Sequence, residues 1–244
     1  MQLDVSCLCP TYGRPRLLAE SIESYLRQDF TGTSELLIVN DNPRQFLICN
    51  APGVRIVNLR TKFKTLGEKY NYLVANARGR YLTPWEDDDV FLPHKLTATV
   101  TALEFFKVDY YKLPWALCLN HGKIDELASN LFFCAGIWTR ALFDKTRGFD
   151  AVQAAADQSI EAQLKEHAGA AYLVDELHDV SEVYYVYCWG GRTSAHLSGW
   201  GNDPDALAKA QAILDRGALT GKLTIEPGYS MDYEAMAAEF TNKD

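Results

Sequence analysis

Four short apolar runs, "LDVSCLC" (3–9), "ELLIVND" (35–41), "VRIVNL" (54–59) and "YLTPW" (81–85), alternate with segments whose apolar residues recur at helical spacing. No other feature of the chain constrains its fold as tightly. Strands of four to seven residues joined through helices indicate an α/β unit with a parallel sheet. "ELLIVND" is nearly continuous in apolar residues, as a strand buried on both faces requires. In "LDVSCLC", Leu3, Val5, Cys7 and Cys9 share a face before the chain meets the turn-forming "PTYGRP". Leu18, Ile22, Tyr25 and Leu26 predict the first helix, and Tyr70, Leu73, Val74 and Ala77 predict another within "GEKYNYLVANARG".

Ligands of such sheets bind at the carboxyl ends of the strands. That rule puts Pro10 to Gly13, Asn40 to Asn42 and Glu86 to Asp89 on one rim. The last group belongs to "PWEDDDVFLP" (84–93), four adjacent acids whose repulsion must be offset by solvent, by the amides of a helix N-terminus or by a bound cation. A cation held mainly by oxygens would be Mg2+ or Mn2+ rather than zinc. Tyr12 can stack on a flat ligand or simply cover the sheet end. Asp41 can accept a hydrogen bond from a ligand N–H, or serve an ordinary turn before Pro43.

Beyond residue 92 the pattern changes. A helix is predicted from Pro93 through "HKLTATVTALEFF", followed by strand-like stretches on both sides of "NHGK", a helix over Gln158 to His167 and strands at "AAYLV" and "SEVYYVYC". A glycine-rich loop with His196 comes next, then a helix from near Asp203 to Arg216. Tyr184, Tyr185, Tyr187 and Trp189 can present an aromatic face to a ligand or fill the core. Residues 218–244 read as a C-terminal tail.

The chain has 244 residues, 48% of them apolar, enough for one large core. With 24 basic against 32 acidic residues, the formal charge of -8 argues against nonspecific nucleic-acid binding. No stretch has the roughly 20 apolar residues of a membrane span. The six scattered cysteines fit small buried side chains in a reducing compartment, and the expected location is cytoplasmic, with peripheral membrane attachment left open. A dinucleotide-binding reading lacks its GxGxxG after the first strand.

In their order, several blocks resemble glycosyltransferase family 2, inverting enzymes of the GT-A fold. "CLCPTYGRPRLLAESIESYLRQDF" is similar to the family's opening, "ELLIVNDN" to its second strand, and "GEKYNYLVANARGRYLTPWEDDDVFLPHKL" to the block bearing its DxD-type motif. "FCAGIWTRALFDKTRGFD", "AADQS" and "WGGRTSAHLSG" resemble the acceptor-side segments. Three positions depart from the common pattern: Asn40-Asp41 for Asp-Asp, Ala156-Asp157 for Glu-Asp, and Tyr70 where arginine is frequent.

The resemblance implies a single Rossmann-like GT-A domain over 1–217, with a central mixed, mostly parallel sheet flanked by helices. Its nucleotide-binding half would span about 1–92 and its acceptor-binding half about 93–217. The implied reaction is metal-dependent sugar transfer from a nucleotide diphosphate donor, with a UDP-sugar favoured, to a hydroxyl of a carbohydrate, glycolipid or glycoprotein, as in polysaccharide biosynthesis. Pro10, Thr11, Tyr12, Arg14, Asp41, Lys69, Asp87 and Asp88 would bind the donor, with Arg60 and Lys64 as competitors of Lys69 for the diphosphate. Asp88 and His196 would hold Mn2+ or Mg2+, and Asp89 would orient the following turn. Asp157 would be the general base, with Asp150 or Glu161 as the next candidates. Without the resemblance, Asp157 reads as the cap of "QSIEAQLKE", and His196 as a histidine bonded to a backbone carbonyl. A nucleotidyltransferase or a noncatalytic carbohydrate-binding protein of the same fold are the alternatives, and a homo-oligomer remains open.

Overall fold

The computed structural model describes residues 2–129, 133–152, 155–188, 205–216 and 219–242. In chain order the elements are β1 (Leu3–Thr11), α1 (Pro15–Leu26), β2 (Ser34–Asn40), β3 (Gln45–Ile48), β4 (Val54–Asn58), α2 (Leu66–Asn76) and β5 (Gly79–Pro84). There follow β6 (Val90–Phe91), α3 (Lys95–Phe106), β7 (Tyr110–Lys112), β8 (Trp115–Asn120), β9 (Lys123–Ser129), β10 (Gly136–Thr139) and α4 (Arg140–Phe143). The chain continues through α5 (Ala156–Ala168), β11 (Tyr172–Val174), β12 (Tyr185–Cys188), α6 (Ala206–Arg216), β13 (Gly221–Thr224) and α7 (Tyr233–Thr241).

Seven strands form the central sheet in the order β11-β7-β10-β5-β1-β2-β4. The β1, β2, β4 and β5 strands run parallel, β10 is antiparallel to both β5 and β7, and β11 is parallel to β7. The sheet is therefore mixed and mostly parallel, as expected. Alternation along β1 and β2 divides the core. Val5, Cys7, Cys9, Leu36 and Ile38 face Leu18 and Ile22 of α1 and Leu96 and Val100 of α3. Leu8, Leu37 and Val39 face Tyr70 and Leu73 of α2 and Ile160 and Leu164 of α5. Helices cover both faces, which is what parallel strands linked by crossovers require.

Local chemistry sets the helix starts. Pro15 occupies the first turn of α1, where its missing N–H is not needed. Thr65 and Glu68 form a capping box on α2: Glu68 N–H donates to Thr65 Oγ1 (3.2 Å), and Thr65 N–H donates to Glu68 Oε2 (3.3 Å). The expected helix start at Pro93 is corrected to Lys95, because the Pro93 carbonyl accepts from Asp29 N–H (2.9 Å) and holds the chain in a turn.

The expected hairpin is β8–β9, turning through His121 and Gly122 at positive φ. It joins β6 and β12 in a second sheet, β6-β12-β8-β9, against which Tyr233 and Ala237 of α7 pack. The β13 strand pairs with β3, so residues 219–242 contribute one strand and one helix. All six cysteines are free, and all but Cys49 are buried. Among the described residues no helix is long and apolar enough to cross a membrane.

Candidate active site

Parallel pairing brings three strand ends together. Thr11 lies opposite Asn40 and Leu8 opposite Pro84, so the segments that follow β1, β2 and β5 emerge side by side. They border an open cleft of about 460 Å3. Pro10, Thr11, Tyr12, Arg14, Asp41, Lys69 and Glu86 all line it. The predicted rim is thus one surface. Lys64 also faces the cleft, whereas Arg60 is absent from its lining.

The acidic run divides into separate tasks. Glu86 is half-buried, and burial together with Asp88, Asp87 and Asp89 pushes its carboxyl up to about 8, against a hydrogen bond from Tyr70 OH. Asp87 is fully buried and accepts from Thr11 Oγ1 (2.6 Å) and Arg14 Nε (3.3 Å). Burial raises its pKa, and Arg14 works against the rise. Asp88, also buried, pairs with Arg14 Nη1. Burial opposes the charge of Arg14, but Asp87, Asp88 and Glu86 outweigh it and hold the guanidinium above its ordinary range.

Asp89 turns away to another element. It accepts from Tyr185 OH (2.6 Å) and Cys188 N–H (3.0 Å), which fastens β12 to the residue just before β6. These partners lie on β12, 96 and 99 residues along the chain, and not in the following turn expected for Asp89. Tyr184 and Tyr185 are buried, so both fill the core. Glu86, Asp87 and Asp88 offer carboxylate oxygens within 4.8 Å of one another, a donor set that suits a hard divalent cation.

Asp41 is buried, and both its oxygens are engaged: Oδ1 by Lys69 Nζ (2.6 Å) and Oδ2 by Phe63 N–H (2.9 Å). Lys69 also donates to the Thr11 carbonyl (2.7 Å). Burial lowers the Lys69 pKa, while Asp41 pulls it back up. The pair ties α2 to the ends of β1 and β2 beneath the cleft. Tyr12 stands above it, with its hydroxyl donating to Asp215 Oδ1 (3.3 Å) and Lys62 Nζ 4.6 Å from its ring centroid.

Asp157 lies in the first turn of α5 and is half-buried. The cap reading is corrected: Ala155 holds the N-cap position at φ 60, and Asp157 is already helical. Asp157 is absent from the lining of the cleft, and beside the acidic run Cys134 Sγ lies 3.7 Å from Glu86 Oε1. Burial, Glu86 and Asp89 raise that thiol's pKa, and Asp157 adds to the rise. The other candidate bases are committed elsewhere. Asp150 accepts from Arg147 and Ser159, and Glu161 is buried against Lys112 (2.8 Å). His196 and Trp189 fall outside the described residues.

The family model for glycosyl transferase family 2 matches residues 6–154, more than half of the sequence. The chain belongs to this family. An uncharacterized glycosyltransferase of Rickettsia typhi is 25% identical over 131 residues, covering 53% of this chain and 40% of the relative. The chain thus spans well under half the length of that relative. S. aureus TarS 1–349 in complex with UDP-GlcNAc superposes with a TM-score of 0.62 at 17% identity, over 99% of this chain and 72% of that one. A mannosyltransferase of Pyrobaculum calidifontis in complex with GDP-Man and Mn2+ gives 0.56 at 16% identity, covering 88% of this chain and 70% of that one. These likenesses establish the GT-A fold for this member of a glycosyltransferase family.

One wall of the family 2 cleft escapes sequence reasoning. Ala210, Gln211 and Leu214 of α6 line it, although they lie far along the chain from the strand ends. The helix is held by Asp215, which accepts from Tyr12 and Arg44 Nη2 (2.5 Å), and by Lys62 donating to Gln211. Gly13 sits beneath it at φ 73, and a Cβ there would lie 3.5 Å from the Leu214 carbonyl. The amphipathic pattern of α6 announces a packed helix but not its site of packing.

Proposed function

We propose that the protein is an inverting, metal-dependent glycosyltransferase that moves a sugar from a nucleotide diphosphate, with UDP favoured, to a hydroxyl of a carbohydrate, glycolipid or glycoprotein acceptor. The observation that carries this reading is the convergence of Tyr12, Arg14, Asp41, Lys69 and Glu86 on one cleft, with the Asp87 and Asp88 carboxylates grouped with Glu86 and paired to Arg14. The nucleotide sugars bound by the two structural neighbours, and the Mn2+ in one of them, support it.

Tyr12 offers a flat surface to the base. Asp41, although doubly bonded, has carboxylate lone pairs left for a base N–H. Arg14 and Lys69 are the cations beside the diphosphate. Asp88, with Glu86 or Asp87, would hold Mn2+ or Mg2+, and His196 would complete that shell. A bound divalent ion neutralises the charge that grows on the leaving diphosphate. Asp157 takes the proton of the acceptor hydroxyl as its oxygen bonds to the anomeric carbon. The bond from that carbon to the diphosphate breaks on the opposite face, so one displacement inverts the configuration.

Calorimetry with UDP and GDP, each with and without Mn2+, followed by a nucleotide-sugar panel scored for nucleotide diphosphate release, tests the proposal. The expectation is Mn2+-dependent UDP binding that Asp88→Ala weakens without lowering the melting temperature. Equal UDP affinity in both proteins with and without metal would remove the metal assignment, and absence of nucleotide binding would remove the function.

A further inference from the structure

Arg14 leaves the loop after β1 and lays its guanidinium across the acidic run. Nε (3.3 Å) and Nη2 donate to Asp87, and Nη1 donates to Asp88. The Asp87 and Asp88 side chains are 0% and 5% exposed, while that of Arg14 is 21% exposed and lines the cleft. The carboxylates proposed to take a divalent ion therefore already carry a cation, and it is one that never loses its charge. Two cations on the same pair of buried carboxylates repel strongly.

We propose that Arg14 is an exchangeable counter-cation. It neutralises Asp87 and Asp88 in the nucleotide-free protein and passes to the diphosphate when the donor binds, which frees the carboxylates for the metal ion. The inference rests on the metal-dependent reading above. Three observations support the exchange. A guanidinium fork matches a phosphate as well as a carboxylate, so the transfer keeps its hydrogen bonds. Arg14 faces the same cleft as Lys69, so the diphosphate lies within reach of both. Asp87 also accepts from the Thr11 hydroxyl (2.6 Å), a second partner besides Arg14 for its carboxylate. Exchange makes metal and nucleotide binding mutually dependent, and the coupling must be equal in both directions.

Electron paramagnetic resonance of free Mn2+ measures this coupling without turnover, on the whole chain, with Mn2+ alone and with Mn2+ plus UDP. Wild type is expected to bind Mn2+ alone weakly and to gain about tenfold or more in affinity with UDP, within the usual range of coupling. Arg14→Gln is expected to bind Mn2+ alone about tenfold more tightly than wild type, with UDP then adding less than about threefold. Arg14→Lys, which keeps the charge without the fork, should fall between them and decides the matter if the glutamine variant does not fold. Lys145→Gln removes an exposed charge outside the cleft lining, and its affinity for Mn2+ alone should stay within about twofold of wild type. Folded Arg14 variants with unchanged or weaker affinity for Mn2+ alone, or with the same UDP coupling as wild type, would overturn the exchange and leave the proposed function standing. Failure of every variant to bind Mn2+ even with UDP would overturn the metal assignment and the exchange with it.

Discussion

Asp157 separates catalysis from binding at the scale of single residues. It is helical rather than capping, so Asp157→Asn should leave α5 intact and remove only the group that accepts a proton at neutral pH. Donor and metal affinity should survive while transfer falls by about 100-fold or more, the usual contribution of a positioned general base. Paired measurements of UDP affinity and sugar-transfer rate on the same preparation check this, and an undiminished rate would take Asp157 out of the mechanism. The fallback bases foreseen from sequence do not offer an easy replacement, since Asp150 and Glu161 are already paired with Arg147 and Lys112. Residue types were legible in the chain, but their pairings were not. Nothing local announces that Lys69 will bond Asp41 from 28 residues away, or that Arg14 will span Asp87 and Asp88.

Contacts between elements decide how the two sides of the cleft are spaced. Gly67, in the first turn of α2, donates its N–H to the Val152 carbonyl (3.2 Å), and a Cβ there would lie 1.8 Å from the Asp150 carbonyl. Gly67→Ala must push away the segment that leads into α5 and Asp157. The expected result is a loss of about 1–3 kcal/mol of stability, typical of overpacking, with slower transfer and nearly unchanged UDP affinity. Urea denaturation and the paired binding and rate assays test it, and wild-type stability would contradict the close approach.

A second joint is made by Lys95 at the start of α3, which donates to the carbonyls of Pro84 (3.0 Å) and Cys134 (2.9 Å). Burial lowers its pKa to about 8, from an ordinary value of 10.5. Between those values the unfolded chain holds a proton that the folded chain has lost, so the Lys95 contribution rises with pH across that window and is flat below about 8. The stability of wild type relative to Lys95→Met should climb from pH 8 to pH 10.5 in denaturant titrations. A constant difference would show that the ammonium is not desolvated.

For the molecule as a whole, the segment beyond α6 is a clasp. The β13 strand pairs with β3, and Gln45 Nε2 donates to the Leu219 carbonyl (2.7 Å). Tyr233 of α7 is buried against the second sheet and, with Ser230, donates to Glu20 of α1. Deleting 219–244 would uncover Val90, Leu117 and Val186. At roughly 1.5–3 kcal/mol for each large apolar side chain exposed, the truncated protein should lose more than about 3 kcal/mol and bind a hydrophobic dye. An unchanged urea midpoint would count against the clasp.

The sequence by itself determined the α/β class, the order of the first strands and helices, and the rim formed at their carboxyl ends. Apolar periodicity is a local property, and parallel pairing of buried strands leaves their ends few other places to go. It did not reveal β3, because "QFLI" is a strand only through a partner about 176 residues later, pairing Gln45 with Gly221. Nor did it reveal that α6 walls the cleft or that Arg14 neutralises the acids. Those outcomes depend on which distant surfaces meet once the sheet has formed, and on the cost of burying carboxylates without a cation. Only the tertiary structure decided them.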